Sequence, residues 1–183
     1  MIIMNESEIF GKKILMVVAQ EKFRDEEFLE PRAVFEEHGA EITVASNSTE
    51  IAKGALGAEV KPDISIDEVN MDDFDAIVIS GGGGSRDYLW DNKELHALIT
   101  RANDDKKIVA AICISPVVLA NAGILNEKNA TVFPDQESIH KLKYNGAIYD
   151  DVPAIRDGNI VTGRDPASAN EFAIRVVEAL AEN

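Results

Sequence analysis

Cys113 is the only cysteine in the chain, and it ends the apolar run Ile108-Val109-Ala110-Ala111-Ile112 with Ser115 and Pro116 close behind. Such a run reads as a strand, and serine followed by proline reads as a helix start. The Ser115 hydroxyl can cap, and Pro116 suits the first helical position, where no backbone donor is needed. Cys113 then occupies the turn between the two elements. A nucleophile elbow of this kind lifts the side chain over the sheet edge and aims it near free backbone N–H groups, where a thiolate is stabilised. The chemistry that follows is nucleophilic attack by sulfur. A lone cysteine is more usually inert packing, and its place at the turn reverses that reading.

Three other groups could serve such a nucleophile. Gly81-Gly82-Gly83-Gly84 follows the apolar run Ala76-Ile77-Val78-Ile79. It supplies neither Gly-x-Gly-x-x-Gly nor a Gly-Lys-Ser/Thr ending, so a nucleotide site is not indicated, and the plain reading is a flexible strand-to-helix turn. Four glycines do allow bare backbone amides to approach a ligand, which suits an oxyanion site. If the two strands are neighbours, the amides of Gly82 and Ile114 flank the sulfur together, with Gly83 as an accessory. Asp25, Glu26, Glu27 and Glu30 read mainly as a solvated helix start favoured by the dipole. One of them turned inward against the sulfur would have its pKa raised, stay protonated and donate a hydrogen bond to a thiolate. Of the three histidines, His38 and His96 read as surface residues, while His140 follows the elbow and is a further accessory candidate. Their scatter gives no basis for a metal site.

Holding these groups together requires alternating strands and helices. Lys13 to Val18 is a continuous apolar run, typical of a strand covered on both faces. A helix through Ala33, Val34 and Phe35 stops at Gly39, where a left-handed cap belongs. Ile42–Ala45 is the second strand, 54–66 a small hairpin or edge excursion, and Ala76–Ile79 the third buried strand. Leu89, Leu95, Leu98 and Ile99 carry helical spacing to about residue 104. After the elbow come a short helix from Pro116 to Ala122, a short strand Ala130–Val132 and a helix from Asp135 to Leu142. Ile155 and Ile160–Thr162 form a hairpin turning at Asp157-Gly158. Asp165-Pro166 repeats the cap-plus-proline start and opens a final helix on Phe172, Ile174, Val176, Val177 and Leu180. The pattern predicts an α/β fold with a mostly parallel sheet, helices on both faces and sites at the carboxyl ends of strands. Residues 1–11 read as a polar tail and 12–183 as one domain.

Composition narrows the possible partners. Lys and Arg total 18 against 33 Asp and Glu, a formal net charge of -15, which speaks against nucleic acid and anionic membranes. No stretch approaches the roughly 20 apolar residues of a membrane span. The opening Met1 to Glu6 lacks the basic region of a secretory signal. One cysteine excludes an internal disulfide and fits a reducing cytoplasm.

Ala110-Ala111-Ile112-Cys113 with Ser115-Pro116, the Ile79-Ser80-Gly81-Gly82 turn, the Glu27-x-x-x-Pro31 spacing and the Asp157 to Thr162 hairpin together resemble the DJ-1/PfpI superfamily. The resemblance runs from about Lys12 to the C-terminal helix. It implies a flavodoxin-like three-layer sandwich, a homodimer or larger oligomer, no cofactor, and a reactive cysteine paired with a protonated glutamate. By position the cysteine is Cys113, the glutamate Glu27, and the oxyanion amides those of Gly82 and Ile114. Members described as peptidases resemble Cys-His-Gly-Pro at the elbow. Here Ile114 takes the histidine position, Ser115 the glycine position and Arg86 that of a supporting acid. The histidine that precedes a downstream proline in DJ-1 is matched by Phe133. A thiol protease needs a base that also protonates its leaving amine, so the peptidase reading is disfavoured.

Two expectations follow. In the first, Cys113 attacks small reactive carbonyls such as a 2-oxoaldehyde, or modified protein side chains, in glyoxalase-like, deglycase-like or related hydrolase chemistry that does without histidine. In the second, the protein is a redox sensor or stress-protective protein whose Cys113 oxidises to a sulfinate held by Glu27 and the amides.

Overall fold

The computed structural model describes residues 8–183. Most of the polar tail read over 1–11 thus lies outside the described residues. The remainder corrects that reading: residues 8–11 form a turn in which Ile9 is fully buried, and Gly11 N–H donates to the Gly39 carbonyl at 3.1 Å. An apolar side chain that reaches the core makes this segment part of the fold.

β1 (Lys13–Val17) is buried from Ile14 onward. The short β2 (Glu21–Phe23) leads into α1 (Asp25–Glu37), closed by Gly39 at φ +92. After β3 (Glu41–Ser46), the excursion read over 54–66 proves to be two things. β4 (Ala52–Gly54) and β5 (Glu59–Val60) form an antiparallel hairpin that β2 joins in parallel, whereas β6 (Ile64–Ser65) pairs with β3 at the sheet edge. β7 (Ala76–Ile79) is buried throughout. The helical spacing beyond it is split into α2 (Gly84–Tyr88) and α3 (Lys93–Asp104), because Asn92 starts a new helix by accepting from Leu95 N–H at 3.0 Å.

β8 (Ile108–Ile112) delivers Cys113, and α4 (Pro116–Asn121) follows it. β9 (Asn129–Ala130) and β10 (Ile148–Tyr149) pair with each other on either side of α5 (Gln136–Tyr144), outside the main sheet. β11 (Ala154–Asp157) and β12 (Ile160–Gly163) form the expected hairpin. Its turn falls on Gly158 and Asn159, one residue later than read, since Asp157 pairs with Ile160 and Gly158 takes φ +63. Asp165 caps a single 3-10 turn over Pro166–Ser168, and α6 (Ala169–Ala181) ends the chain.

The seven-stranded sheet runs β11-β12-β8-β7-β1-β3-β6, and every neighbouring pair is parallel except β11 with β12. α1 and α6 pack on each other against one face, and α3 and α4 against the other. The protein is therefore an α/β sandwich with flavodoxin-like layering. From β1 the chain first builds outward to β3 and β6, then returns to the far side of β1 as β7. That reversal opens a crevice at the carboxyl ends of β1, β7 and β8, where open α/β sheets carry their sites. Among the described residues no helix is long and apolar enough to cross a membrane.

Phe172 on α6 closes the core behind the elbow. It is fully buried, and a methyl group on Gly163 would come within 3.0 Å of it. Phe172→Ala should cost about 3–5 kcal/mol and lower the thermal midpoint by roughly 6–20 °C. A melt followed by circular dichroism checks this, and a shift under about 2 °C would contradict the packing.

Candidate functional site

Cys113 leaves β8 at φ +65, a left-handed conformation that costs a residue with a side chain about 1–2 kcal/mol. Backbone bonds on both sides hold it there: Cys113 N–H donates to Gly163 O at 3.0 Å, and its carbonyl accepts from Phe133 N–H at 2.8 Å. Ser115 does not cap α4 with its side chain, contrary to the sequence reading. Its backbone is already helical, at φ -74 and ψ -19, which turns the hydroxyl away from the exposed amides. That hydroxyl donates to Ser80 O at 2.6 Å and shares a 2.8 Å bond with the Ser85 hydroxyl. All three serines are fully buried. They tie the end of β7 and the start of α2 to the elbow, so Ser115 braces the turn.

Glu27 belongs to the first turn of α1, and its side chain is fully buried. Pro31 lacks the N–H that would bond the carbonyl of Glu27 four residues back. The Ser80 hydroxyl donates to that carbonyl instead, at 3.1 Å, pinning the helix start to the end of β7. Gly81 lies between the two candidate side chains. A methyl group on it would stand 2.5 Å from Cys113 Cβ, 2.6 Å from Glu27 Oε1 and 2.7 Å from Ile112 O. Only a hydrogen atom fits there, with Cys113 and the Glu27 carboxyl both packed against it. Gly82, at φ +100, is pressed as closely against the backbone of residues 22–24.

Neither carboxyl oxygen of Glu27 has a hydrogen-bond partner of ordinary geometry among the described residues. Burial pushes its pKa up from 4.5 to about 8, opposed in part by the adjacent thiol, which perturbs the carboxyl without satisfying it, and by Arg24. The carboxyl is therefore protonated at neutral pH. Burial also pushes the Cys113 thiol up, and charge on Glu27 pushes it further, while the amides of Gly82 and Ile114 pull it down. Among the described residues those two amides have no oxygen partner in the protein. The turn alone favours a thiolate, and burial works against it. Cys113 is only 8% exposed, and its desolvation is the largest of these effects, ahead of the two amide dipoles.

A cleft of about 450 Å³ lies over the sulfur, and its lining includes Arg24, Gly82, Gly83, Arg86, Ile114 and Phe133. His140 is not among them. It is exposed on α5 beside the Tyr144 ring and lines, with His96, a separate cleft. The accessory role read for His140 is corrected accordingly, since α5 carries it to another face. His38 and His96 are half-buried, each 2.8 Å from a backbone carbonyl, of Val34 and Trp90 respectively. Among the described residues no histidine lines the cleft, and no group of three or more His, Cys, Asp or Glu is arranged to hold a metal ion.

Two participants escape a sequence reading. Trp90, the only tryptophan, donates its indole N–H to Ile114 O at 2.9 Å and so steadies the residue after the sulfur. Asp25 is buried and accepts from Leu56 N–H at 3.1 Å and Ala58 N–H at 2.8 Å, which fixes the β4–β5 hairpin next to the cleft. A single tryptophan is at least conspicuous. No local signal links Asp25 to a turn so far along the chain.

The model of the DJ-1/PfpI family matches residues 12–179. An uncharacterized protein of Methanocaldococcus jannaschii is 47% identical over 171 residues, covering 93% of this chain and 83% of that one. A Pyrococcus horikoshii protein named as a deglycase is 32% identical over 168 residues, covering 92% of this chain and 99% of that one. The crystal structure of a ThiJ/PfpI domain protein from Brachyspira murdochii superposes with a TM-score of 0.90 at 35% identity, covering 95% of this chain and 99% of that one.

The raised pKa of Glu27 has a consequence for stability. The unfolded chain releases this proton near pH 4.5 and the folded chain near 8, so in that window the native state binds more protons and stability falls as pH rises. Relative to Glu27→Gln, which carries no ionisable group there, the wild type should lose on the order of 3–5 kcal/mol between those limits. Denaturant titrations of both proteins at pH 5 and 8 measure the difference; equal slopes against pH would rule out a buried protonated carboxyl. The same variant should lower the Cys113 pKa by removing the competing charge, and Glu27→Leu should leave it higher than Glu27→Gln because leucine offers the thiolate no donor. The pH dependence of alkylation by iodoacetamide reads both.

Proposed function

The chain belongs to the DJ-1/PfpI family, and from that premise we propose that it acts on small reactive carbonyl compounds, adding the Cys113 thiol to the carbonyl carbon. One observation carries the reading: buried Cys113 and the buried Glu27 carboxyl both lie against Gly81, beside two backbone amides that have no oxygen partner among the described residues. The Sγ–C bond forms as the carbonyl π bond breaks, and its electron pair moves to the oxygen. Gly82 and Ile114 N–H stabilise the negative charge that develops there. Glu27 accepts the thiol proton on one oxygen and passes its own to the new alkoxide, leaving a neutral hemithioacetal. This relay explains how a thiol that keeps its proton at rest can still react.

With a 2-oxoaldehyde, the carbonyl oxygen of the protonated Glu27 next takes the proton from the former aldehyde carbon while its hydroxyl gives a proton to the ketone oxygen, forming an enediol. Glu27 then returns the first proton to the neighbouring carbon as it takes the proton of the first hydroxyl, which leaves a thioester. The first carbon is oxidised, the second is reduced, and water releases a 2-hydroxy acid and the thiol. A Pyrococcus horikoshii relative named as a deglycase lends support to carbonyl chemistry of this kind. Peptidase chemistry finds none, because the position next to the sulfur is Ile114 and Arg86 is engaged with Glu137 at 3.1 Å.

A second reading rests on the unpartnered Glu27 oxygens. A protonated carboxyl beside sulfur can donate to an oxygen placed there, so peroxide could convert Cys113 to a sulfinate held by Glu27 and the amides.

Methylglyoxal consumption, followed by loss of the dicarbonyl and appearance of lactate, tests the first reading. Wild type should turn over and Cys113→Ala should fall by at least about 1,000-fold, the scale for losing a covalent nucleophile. Equal background rates for the two proteins would remove it. For the second, mass spectrometry after mild peroxide should find two oxygens on Cys113 before any on the methionines.

A further inference from the structure

We propose that the carbonyl compound taken by this cleft carries an anionic group, a carboxylate or a phosphate, close to its reactive carbon, and that Arg24 and Arg86 bind it. This rests on the carbonyl-addition reading above and narrows its substrate class. Both arginines are among the residues that line the cleft containing Cys113. In a chain with 33 acidic and 18 basic residues, that places two positive charges where the overall composition favours negative ones. The lining acid Asp135 is turned elsewhere. Its carboxyl oxygens accept from Ser138 N–H at 2.8 Å and the Ser138 hydroxyl at 2.9 Å, at the start of α5.

Both arginines are fixed in place and keep donors to spare. Arg24 is the residue before α1; its backbone N–H donates to Gly81 O at 2.9 Å, so its Cα is anchored to the glycine turn itself. Its side chain donates to Glu26 through Nε at 2.7 Å and Nη2 at 3.2 Å. Arg86 on α2 lies over the Trp90 ring, 4.7 Å from its centroid, and pairs with Glu137 through Nη2. A guanidinium has five N–H donors, so neither pairing exhausts it. The two ion pairs are partly exposed, at 38% and 36% for Arg24 and Glu26 and 43% and 52% for Arg86 and Glu137, and such pairs hold position more than they stabilise.

A planar carboxylate or a phosphate matches the forked donors of arginine. With the carbonyl oxygen on the Gly82 and Ile114 amides, the anion of the same small molecule can meet a guanidinium at the cleft wall. The covalent step is unchanged and needs no oxidant or reductant.

Because the chain has one cysteine, protection of Cys113 from iodoacetamide reads occupancy of this cleft directly. Glyoxylate is to be compared with glyoxal, and glyceraldehyde 3-phosphate with glyceraldehyde, using wild type and, as controls, acetate and inorganic phosphate. In at least one pair the anion should protect at roughly tenfold or more lower concentration than its neutral partner, the scale of one charge-assisted hydrogen bond, and the pair that does so identifies carboxylate or phosphate. The preference should shrink in 0.5 M NaCl and should fall severalfold further in Arg24→Gln or Arg86→Gln than in Arg24→Lys or Arg86→Lys. Equal protection within both pairs overturns the anion assignment and leaves carbonyl addition standing. No protection by any of the four carbonyl compounds overturns both.

Discussion

Thiol and carboxyl can meet in this protein only because the residue between them has no side chain. Gly81 gives up all of its space to Cys113, to Glu27 and to the end of β8. That contact needs three separate elements in register: α1 for the carboxyl, the turn after β7 for the glycine and the turn after β8 for the sulfur. The parallel order β1-β7-β8 brings their ends together, and the Ser80, Ser115 and Ser85 hydroxyls fasten them. Pro31 takes part from a distance, since its missing N–H frees the Glu27 carbonyl for Ser80.

Burying an acid next to a thiol carries a thermodynamic cost. Above its shifted pKa the unpartnered Glu27 destabilises the fold, and Cys113 holds a strained φ. Such tension is retained where chemistry uses it. Here the same desolvation that disfavours both charges keeps a proton available beside the nucleophile, so that ionisation of sulfur accompanies attack instead of preceding it. A permanently ionised thiolate would be more open to adventitious oxidation.

The surroundings distinguish this cleft from one built for peptide cleavage. Its walls hold arginines, backbone amides and the half-exposed Phe133, and among the described residues no imidazole. Trp90 links several of these parts, carrying Arg86 on its face while its N–H holds Ile114 O.

Much of this was legible in the order of residues alone. Unbroken apolar runs identify the buried strands β1, β7 and β8, because a strand covered on both faces has no polar alternation. Gly39 and Asp165-Pro166 mark a helix stop and start through local backbone preferences, and Asp157-Gly158 places the hairpin turn to within one residue. Cys113 at its elbow follows from the same punctuation. The family resemblance singles out Glu27, but tertiary structure alone decided that Asp25 turns toward the β4–β5 hairpin and that Glu26 pairs with Arg24. It also decided that His140 faces another cleft, that Ser115 braces and does not cap, and that Arg24 and Arg86 line the same cleft. Spacing along a chain reports on neighbours within a turn or two. Burial, pKa and the meeting of side chains depend on every element that surrounds an atom, and those elements are distant in sequence.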